Sequence, residues 1–531
     1  MDMNTLRTAS LRRLAATAII GVLGITTANG VAGATPGAVV ADRPGQTLRS
    51  PDDEGSGTLR FGYHQALSSG FDPHLAMVSQ DTGWLAPVYE PLILERPNGE
   101  LAPGLATSWE FTDDNTALLL HLRDGVVFHD GATLDAEVVK ANLDRAATIE
   151  GSAVVSMLAP VESVEVVDPM TVRLSLNQPA ATLPRVLADR PGMIISPDSL
   201  DDPDLAANPV GAGMYRLVDW RPGDRAVYER FDGYWDPEQN PLASLEVILM
   251  ADSPTRLNAL RSGQIDAALL DPLEFIEADG AGLVTEEFDT TSVYMVQFNR
   301  TKSEFGDVRV RQAMNYAVDR ASLAEAIFFS LATPSAQYYP AAASVGHVDG
   351  LDDRYPYSPD DARRLLDEAG LPDGFDFEMI VPNSPLFQLI GQALQAQYAE
   401  VGITMNIRTL DTGTIGQAFY VDEESDAQIG LSPGRSDPAM IGQIFFTDIL
   451  SNPGSQLIDS VTAAYDASMI PAPEAERAVV LDDLMTATVE EAGQVVLVQI
   501  RGLVGSTDAV TGFNWSIAGK PDFHGTAMTD G

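Results

Sequence analysis

Apolar and polar positions recur along this chain with two periods, two and about 3.6 residues, and the two periods alternate many times. Thr58-Leu59-Arg60-Phe61-Gly62-Tyr63 reads as a short strand, followed by turn residues from Ser68 to Pro73. Leu118 to Leu122 and Val126 to Phe128 flank Arg123-Asp124-Gly125, the layout of a hairpin with an Asp-Gly turn. Asp135 to Ala147 has helical spacing, and Val161 to Val167 faces Thr171 to Leu176 across an Asp168-Pro169 turn. Further helices are expected over Pro254 to Ser262, Val308 to Phe329, Pro359 to Ala369, Leu386 to Glu400 and Ala475 to Glu491. Gly263 and Gly370 stand where two of them should stop. Strands are expected over Ser292 to Asn299, Phe375 to Val381, Thr404 to Leu410 and Gln494 to Ile500. The alternation predicts an α/β protein of 531 residues, long enough for two substantial lobes, without tandem repeats.

The N-terminus has its own pattern. Arg7, Arg12 and Arg13 precede an apolar run from Leu14 to Thr27, and Ala32-Gly33-Ala34 supplies small residues for cleavage. That is the layout of a secretory signal peptide over 1–34, with an apolar stretch short for a membrane span. Arg12-Arg13 leaves a twin-arginine route open beside the general one. Residues 35–57, rich in Pro, Gly and Asp, read as a flexible leader.

Charge narrows the function classes. The formal net charge is −44, from 76 acidic and 32 basic residues, and only Lys140, Lys302 and Lys520 are lysines. Such a surface repels nucleic acid and anionic lipid, so no nucleic-acid partner is expected. The acids are spread along the whole chain, which reads as solubility before capture of a cation. Without cysteine there is no disulfide, thiolate metal site, cysteine nucleophile or lipid-modified anchor. The six histidines form neither H-x-x-x-H nor H-E-x-x-H, and no metal or cofactor is expected.

From Leu101 to Arg145, LAPGLATSWEFTDDNTALLLHLRDGVVFHDGATLDAEVVKANLDR closely resembles the signature region of the family 5 bacterial solute-binding proteins, the dipeptide- and oligopeptide-binding relatives. FDPHLA at Phe71, VYEPLI at Val88, ANPVGAGMYRLVDWRPGDR at Ala207, the block from Tyr234 to Leu270 and VQFNRTKSEFGDVRVRQAMNYAVDR at Val296 follow in the family's order. The resemblance implies a two-lobed periplasmic-binding-protein fold. Two crossover strands would join the lobes at Val293 to Phe298 and Val495 to Gln499. Lobe I would be 58–294 plus 497–531, with an insert subdomain at about 95–195, and lobe II 295–496. It also implies a small-molecule ligand in the cleft, ABC importer permease subunits as partners, a monomer, a periplasmic or otherwise extracytoplasmic place, and no catalysis.

The resemblance also points to a site. Gly430 to Pro438, GLSPGRSDP, corresponds to a cleft-facing loop of lobe II where peptide-binding members carry Asp-Tyr-x-Asp-Pro. Asp437-Pro438 supplies the last pair, so Gly434 stands where the ammonium-binding Asp would be and Arg435 replaces the Tyr. Arg435 offers a fork suited to carboxylate or phosphate, or else an ion pair with Asp437. Where dipeptide-binding members have a carboxylate-binding Arg, this chain has Pro382, Asn383 and Ser384; neutral groups there suit a sugar-like or amide-rich ligand, or form a plain turn. His64, Gln65 and Ser68 follow the first strand, beyond the edge where open α/β sheets collect ligands. Tyr294, Phe298 and Asn299 would line the cleft floor, although half of a strand's side chains belong to the core.

The same GLSPG also fits a G-x-S-x-G nucleophile elbow, but Pro433 has no N–H to give an oxyanion hole. The alternative function is an exported hydrolase acting on a small polar substrate. It rests only on export, size and scattered carboxylates.

Overall fold

The computed structural model describes residues 57–529 apart from 113, 303 and 448–450. The export signal over 1–34 and all but Gly57 of the leader lie outside the described residues. In chain order the strands used below are β1 (Thr58–Tyr63), β2 (Ala106–Phe111), β3 (Ala117–Leu122), β4 (Val161–Asp168), β5 (Thr171–Leu176), β6 (Tyr215–Arg221), β7 (Arg225–Arg230), β8 (Ser244–Leu249), β9 (Ala267–Leu269), β10 (Val284–Phe298), β11 (Ala332–Pro334), β12 (Asp376–Pro382), β13 (Thr404–Leu410), β14 (Ala427–Ser432) and β15 (Gln494–Ser506).

One sheet runs through both lobes in the order β13-β12-β14-β10-β15-β9-β1-β8-β7-β6, with β11 added on β15. β10 and β15 are its spine. Val284 to Asp289 pairs with Ser506 to Arg501 on the lobe I side. The ladder resumes at Val293 opposite Gln499 and runs into lobe II, ending at Gln297 opposite Gln494. The register shifts between Asp289 and Val293. Both strands are longer than the sequence suggested, because Val284 to Asp289 is largely exposed and polar and shows no apolar run. Their lobe II halves are almost wholly buried, as expected of strands covered on both faces.

On the lobe I side, Leu59, Phe61 and Tyr63 of β1 point into a core shared with Phe71, Trp84, Tyr89 and Tyr228. Trp84 and Tyr89 are packing residues. β2, β3, β5 and β4 form a separate four-stranded sheet in that order, backed by the helix Ala136–Thr148. Asp135 caps this helix by accepting from the Val138 N–H at 2.9 Å, and buried Asn142 ties it to both backbone groups of Ile195. The expected Asp-Gly hairpin does not form. β3 pairs with β2 and β5 instead, while Val126 and Phe128 turn into the core of this subdomain. Burial of two apolar side chains outweighs a local ladder. In the NPVGAG stretch, a Cβ on Gly211 or Gly213 would lie 2.2 or 2.7 Å from the Val88 carbonyl oxygen, so the glycines let two backbone segments touch.

In lobe II, the long helical pattern from Val308 to Phe329 divides into Val308–Tyr316 and Arg320–Phe328. Asp319 starts the second helix by accepting from the Ser322 N–H at 3.0 Å. Arg320 turns inward at the break and donates to the carbonyls of Val496 and Asn315, which fixes both helices to β15.

The last segment returns to lobe I, where Phe513, Trp515 and Phe523 enter its core. His524 Nδ1 sits 2.6 Å from Asp522, and the Glu90 carboxylate nearby accepts from the Tyr234 hydroxyl and the Trp235 indole. Burial would lower the His524 pKa, but Asp522 and Glu90 outweigh it and raise it to about 9. His64, His74 and His129 go the other way: burial above all lowers each to about 4.

The linkage follows from these directions. The stabilisation from charged His524 is complete below its unfolded value of about 6.5 and is lost as pH rises through about 9. The three neutral histidines cost stability as pH falls from 6.5 through about 4, because the unfolded chain then binds more protons. The melting temperature is therefore expected to peak near pH 6.5, with an alkaline slope that His524→Gln flattens, as read by calorimetry across about pH 4–10.

Candidate functional site

The loop after β14 meets the residues around Arg185, Asp189 and Lys520 beside the β10–β15 pair. The lobe II loop after β14 is fixed by the hinge. Arg435 N–H donates to Thr291 Oγ1 at 2.7 Å, and that hydroxyl donates to the Arg435 carbonyl at 2.9 Å. Thr291 N–H in turn donates to Ile517 O of the returning segment. Gly434 lies against that segment so closely that a Cβ would stand 2.8 Å from the Ala518 backbone. No side chain fits there, so an ammonium-binding carboxylate at this position is excluded by packing as well as by sequence.

Asp437 is wholly buried. It caps the helix Pro438–Phe446 through the Ala439 N–H and takes both Nη2 contacts of Arg477 at 2.8 and 3.0 Å within its own lobe. Arg185, on a short helical turn of lobe I, completes the set at 3.2 Å from the same carboxylate. The expected alternatives for Asp437, ligand contact or an Arg435 pair, are both corrected. It is a carboxylate shared across the lobes, too enclosed to meet a solute. Backbone contacts reinforce the closure: Ala181 N–H to Met469 O and Ser344 N–H to Asn98 O, both at 3.0 Å.

Arg435 is left with little. The one hydrogen bond its guanidinium makes among the described residues is to the neighbouring Gly434 carbonyl, at 3.2 Å. Protein surrounds it, yet it retains some water-accessible surface. Burial lowers its pKa, with Asp189 and Tyr339 opposing. Asp189 is already held by Lys520 Nζ and Ser79 Oγ, each at 2.9 Å, and by the Arg190 N–H at 2.7 Å. Tyr339 OH is buried without a hydrogen-bond partner, as are Arg190 Nε and Glu95 Oε1. Burial raises the Glu95 pKa, and Lys520 and Arg185 pull it back.

The remaining sequence candidates separate by place. His64 follows β1, half-buried, its Nδ1 unpartnered; burial and Arg256 keep the ring neutral at pH 7. Gln65 lies beside it, its carbonyl taken by the Trp84 indole and its amide turned to Ala66 O. Ser68 is committed inside lobe I, donating to Asp81 at 2.5 Å, which corrects its role to a loop clamp. Tyr294 packs its ring on Phe328 and Phe387, and the lobe I carboxylate Asp271 acts on its phenol. Phe298 and Asn299 are corrected to the lobe II interior. Phe298 stacks on Phe305 with centroids 4.5 Å apart, and fully buried Asn299 accepts from Thr301. Both sit beyond the cleft because the strand runs deep into lobe II. Asn383 joins Asp411 and Gln388 in a surface turn, and Ser384 opens the next helix without capping it.

Arg185, Asp189, Arg190, Tyr339 and Lys520 escaped sequence reading, because they sit far apart in the chain. One signal was available: Arg185, Asp189 and Arg190 interrupt an otherwise apolar stretch. Among the described residues no group of His, Cys, Asp and Glu could hold a metal, and no helix is long and apolar enough to cross a membrane. A cavity with room for about one water touches Asn315, Tyr338 and Gln494, and Arg435 does not line it.

Arg185→Gln removes the cross-lobe partner of Asp437 and leaves Arg477 in place. Ligand release is expected to quicken about 5–30-fold, the equivalent of ~1–2 kcal/mol, by stopped-flow, with urea stability little changed. Arg477→Gln is expected to lower urea stability instead, by roughly 3 kcal/mol.

Known proteins share this fold. Residues 100–448 match the family described as bacterial extracellular solute-binding proteins, family 5, middle region. A glutathione-binding protein GsiB of Salmonella paratyphi A is 33% identical over 315 residues, 58% of this chain and 61% of that protein. The match thus spans about three fifths of that relative's length. The structure of AgaA from A. tumefacien R10 in complex with agropinic acid superposes with a TM-score of 0.71 at 23% identity, over 90% of this chain and 99% of the other. The periplasmic binding protein DppA of Helicobacter pylori in complex with the peptide STSA gives 0.72 at 21%, over 90% and 99%. With the family matched across about two thirds of its length and the two-lobed fold shared throughout, the chain belongs to the family 5 bacterial extracellular solute-binding proteins.

Proposed function

We propose that this chain is the substrate-binding receptor of an ABC-type importer. It encloses a small organic solute, peptide-like or an oligosaccharide, and presents the closed form to permease subunits in the membrane. The observation that carries this reading is the placement of Arg435, fixed at the crossing by Thr291 and facing Asp189 and Arg190 from the other side of it. Relatives named for glutathione and for peptides support it. In this reading the chain divides at the hinge into lobe I, with its insert subdomain, and lobe II. His64, Gln65, the Tyr294 hydroxyl, Ser384 and Arg435 are the ligand contacts. The protein acts as an exported monomer outside the cytoplasmic membrane and turns nothing over. Nothing favours the hydrolase: Ser432 is buried at the end of β14, with Pro433 after it.

A thermal-shift screen of the mature chain with peptides, oligosaccharides, opine-like conjugates and polyamines tests the reading. A ligand at about 100 times its Kd adds about 2.7 kcal/mol, and the expected result is a clear rise in Tm with the ligand recovered intact by chromatography. Consumption of a compound, with no rise for any, would overturn it.

A further inference from the structure

We infer that the cluster of groups around Arg435 is an anion subsite and that Arg435 is its anchor, so the solute carries a carboxylate. This rests on the receptor reading above and names the chemistry of its ligand.

Three observations carry it. The first is local charge. Arg185, Arg190, Lys520, Arg435 and Arg477 gather here with the carboxylates Glu95, Asp189 and Asp437. With Asp81, which acts on Arg190, five cations meet four carboxylates, in a protein whose formal net charge is −44. An excess of cations inside so acidic a chain is the reverse of its surface. The second is availability. Asp437 is occupied by Arg185 and Arg477, and Asp189 by Lys520, Ser79 and the Arg190 N–H. Both carboxylates are hydrogen-bonded elsewhere, Asp189 acts on Arg435 only through space, and the bond of Arg435 to Gly434 O uses one of about five donors. The third is a set of unfilled partners around it. Tyr339, with no exposed surface, keeps a hydroxyl without a hydrogen bond, and Arg190, also buried, keeps such an Nε. A planar carboxylate takes two parallel N–H bonds from a guanidinium and a third from a phenol.

The backbone makes the anchor stiff. Thr291 holds both the N–H and the carbonyl of Arg435, and Gly434 seats the loop against Ala518. The guanidinium is thus placed by the hinge and by the closed interface together, so capture of the anion and closure favour one another.

Direct binding by calorimetry tests this with matched probes: glutathione, Met-Leu and Ser-Thr-Ser-Ala, each as free acid and C-terminal amide, together with agropinic acid, maltotriose and spermidine. The wild-type protein is expected to bind at least one free acid about 10–100-fold more tightly than its amide, or agropinic acid over the neutral and cationic probes. Arg435→Gln is expected to abolish that preference, with Arg435→Lys recovering part of it. Far-ultraviolet dichroism and Tm of the unliganded variants show whether they fold. Equal binding of acid and amide by the wild-type protein overturns the anion subsite, as does binding of maltotriose or spermidine alone; both leave the receptor reading intact. An undiminished preference in folded Arg435→Gln overturns the anchor. No binding by any probe counts against the receptor reading and the subsite together.

Discussion

Everything in this molecule hangs on the pairing of β10 with β15. Two long antiparallel strands share one ladder from lobe I into lobe II, and every other strand of the main sheet is stacked outward from that pair. A continuous ladder would make one rigid slab. The break in register between Asp289 and Val293 is what prevents it, since Thr290, Thr291 and Ser292 lack regular partners there. Thr290 instead donates to Ile500 O at 2.5 Å, and Thr291 serves the Arg435 loop and Ile517. Side-chain hydroxyls replace ladder bonds at the crossing, so the backbone remains satisfied while its direction is free to change.

Closure then becomes a matter of which charges the lobes exchange. Asp437 needs a partner in any state, and Arg477 provides one inside lobe II. Arg185 adds a second only when the lobes meet. This division lets the open form keep a buried carboxylate without an uncompensated charge. A single cross-lobe pair with no local partner would lock the protein shut or destabilise it when open. Gly434 has the complementary role: its missing side chain allows the two backbones to touch.

Much of the fold was legible because its signals are local. Alternation, helical periodicity and the terminal Gly370 located β1, β13, the helix Pro359–Glu368 and the helix Pro385–Glu400 nearly to the residue. The misses have physical causes. The Asp-Gly turn at Asp124 lost to burial of Val126 and Phe128, and Asp319 cut one helical pattern into two by capping the second half. Val284 to Asp289 hid as a strand because its exposed face is polar. The site was far less legible. Motif correspondence led to Arg435 and Gly434, but strand alternation could not tell the cleft floor from the lobe II core, which is why Phe298 and Asn299 were misplaced. Arg185, Asp189, Tyr339 and Lys520 come together only through tertiary structure, and no spacing announces them.

The acidity of the chain bears on the Arg435 cluster from a different direction. A surface of this sign holds anions off at long range, over a Debye length of about 8 Å at physiological ionic strength. An interior with more cations than carboxylates acts at short range and in lower dielectric, where each charge counts for more. The two fields oppose each other outside the cleft and part company within it. On the proposed reading, a carboxylate that enters would exchange repulsion for the Arg435 fork, with Asp437 already balanced by Arg477. Selection among solutes would then fall on the last few ångströms of approach, at the guanidinium whose backbone Thr291 holds.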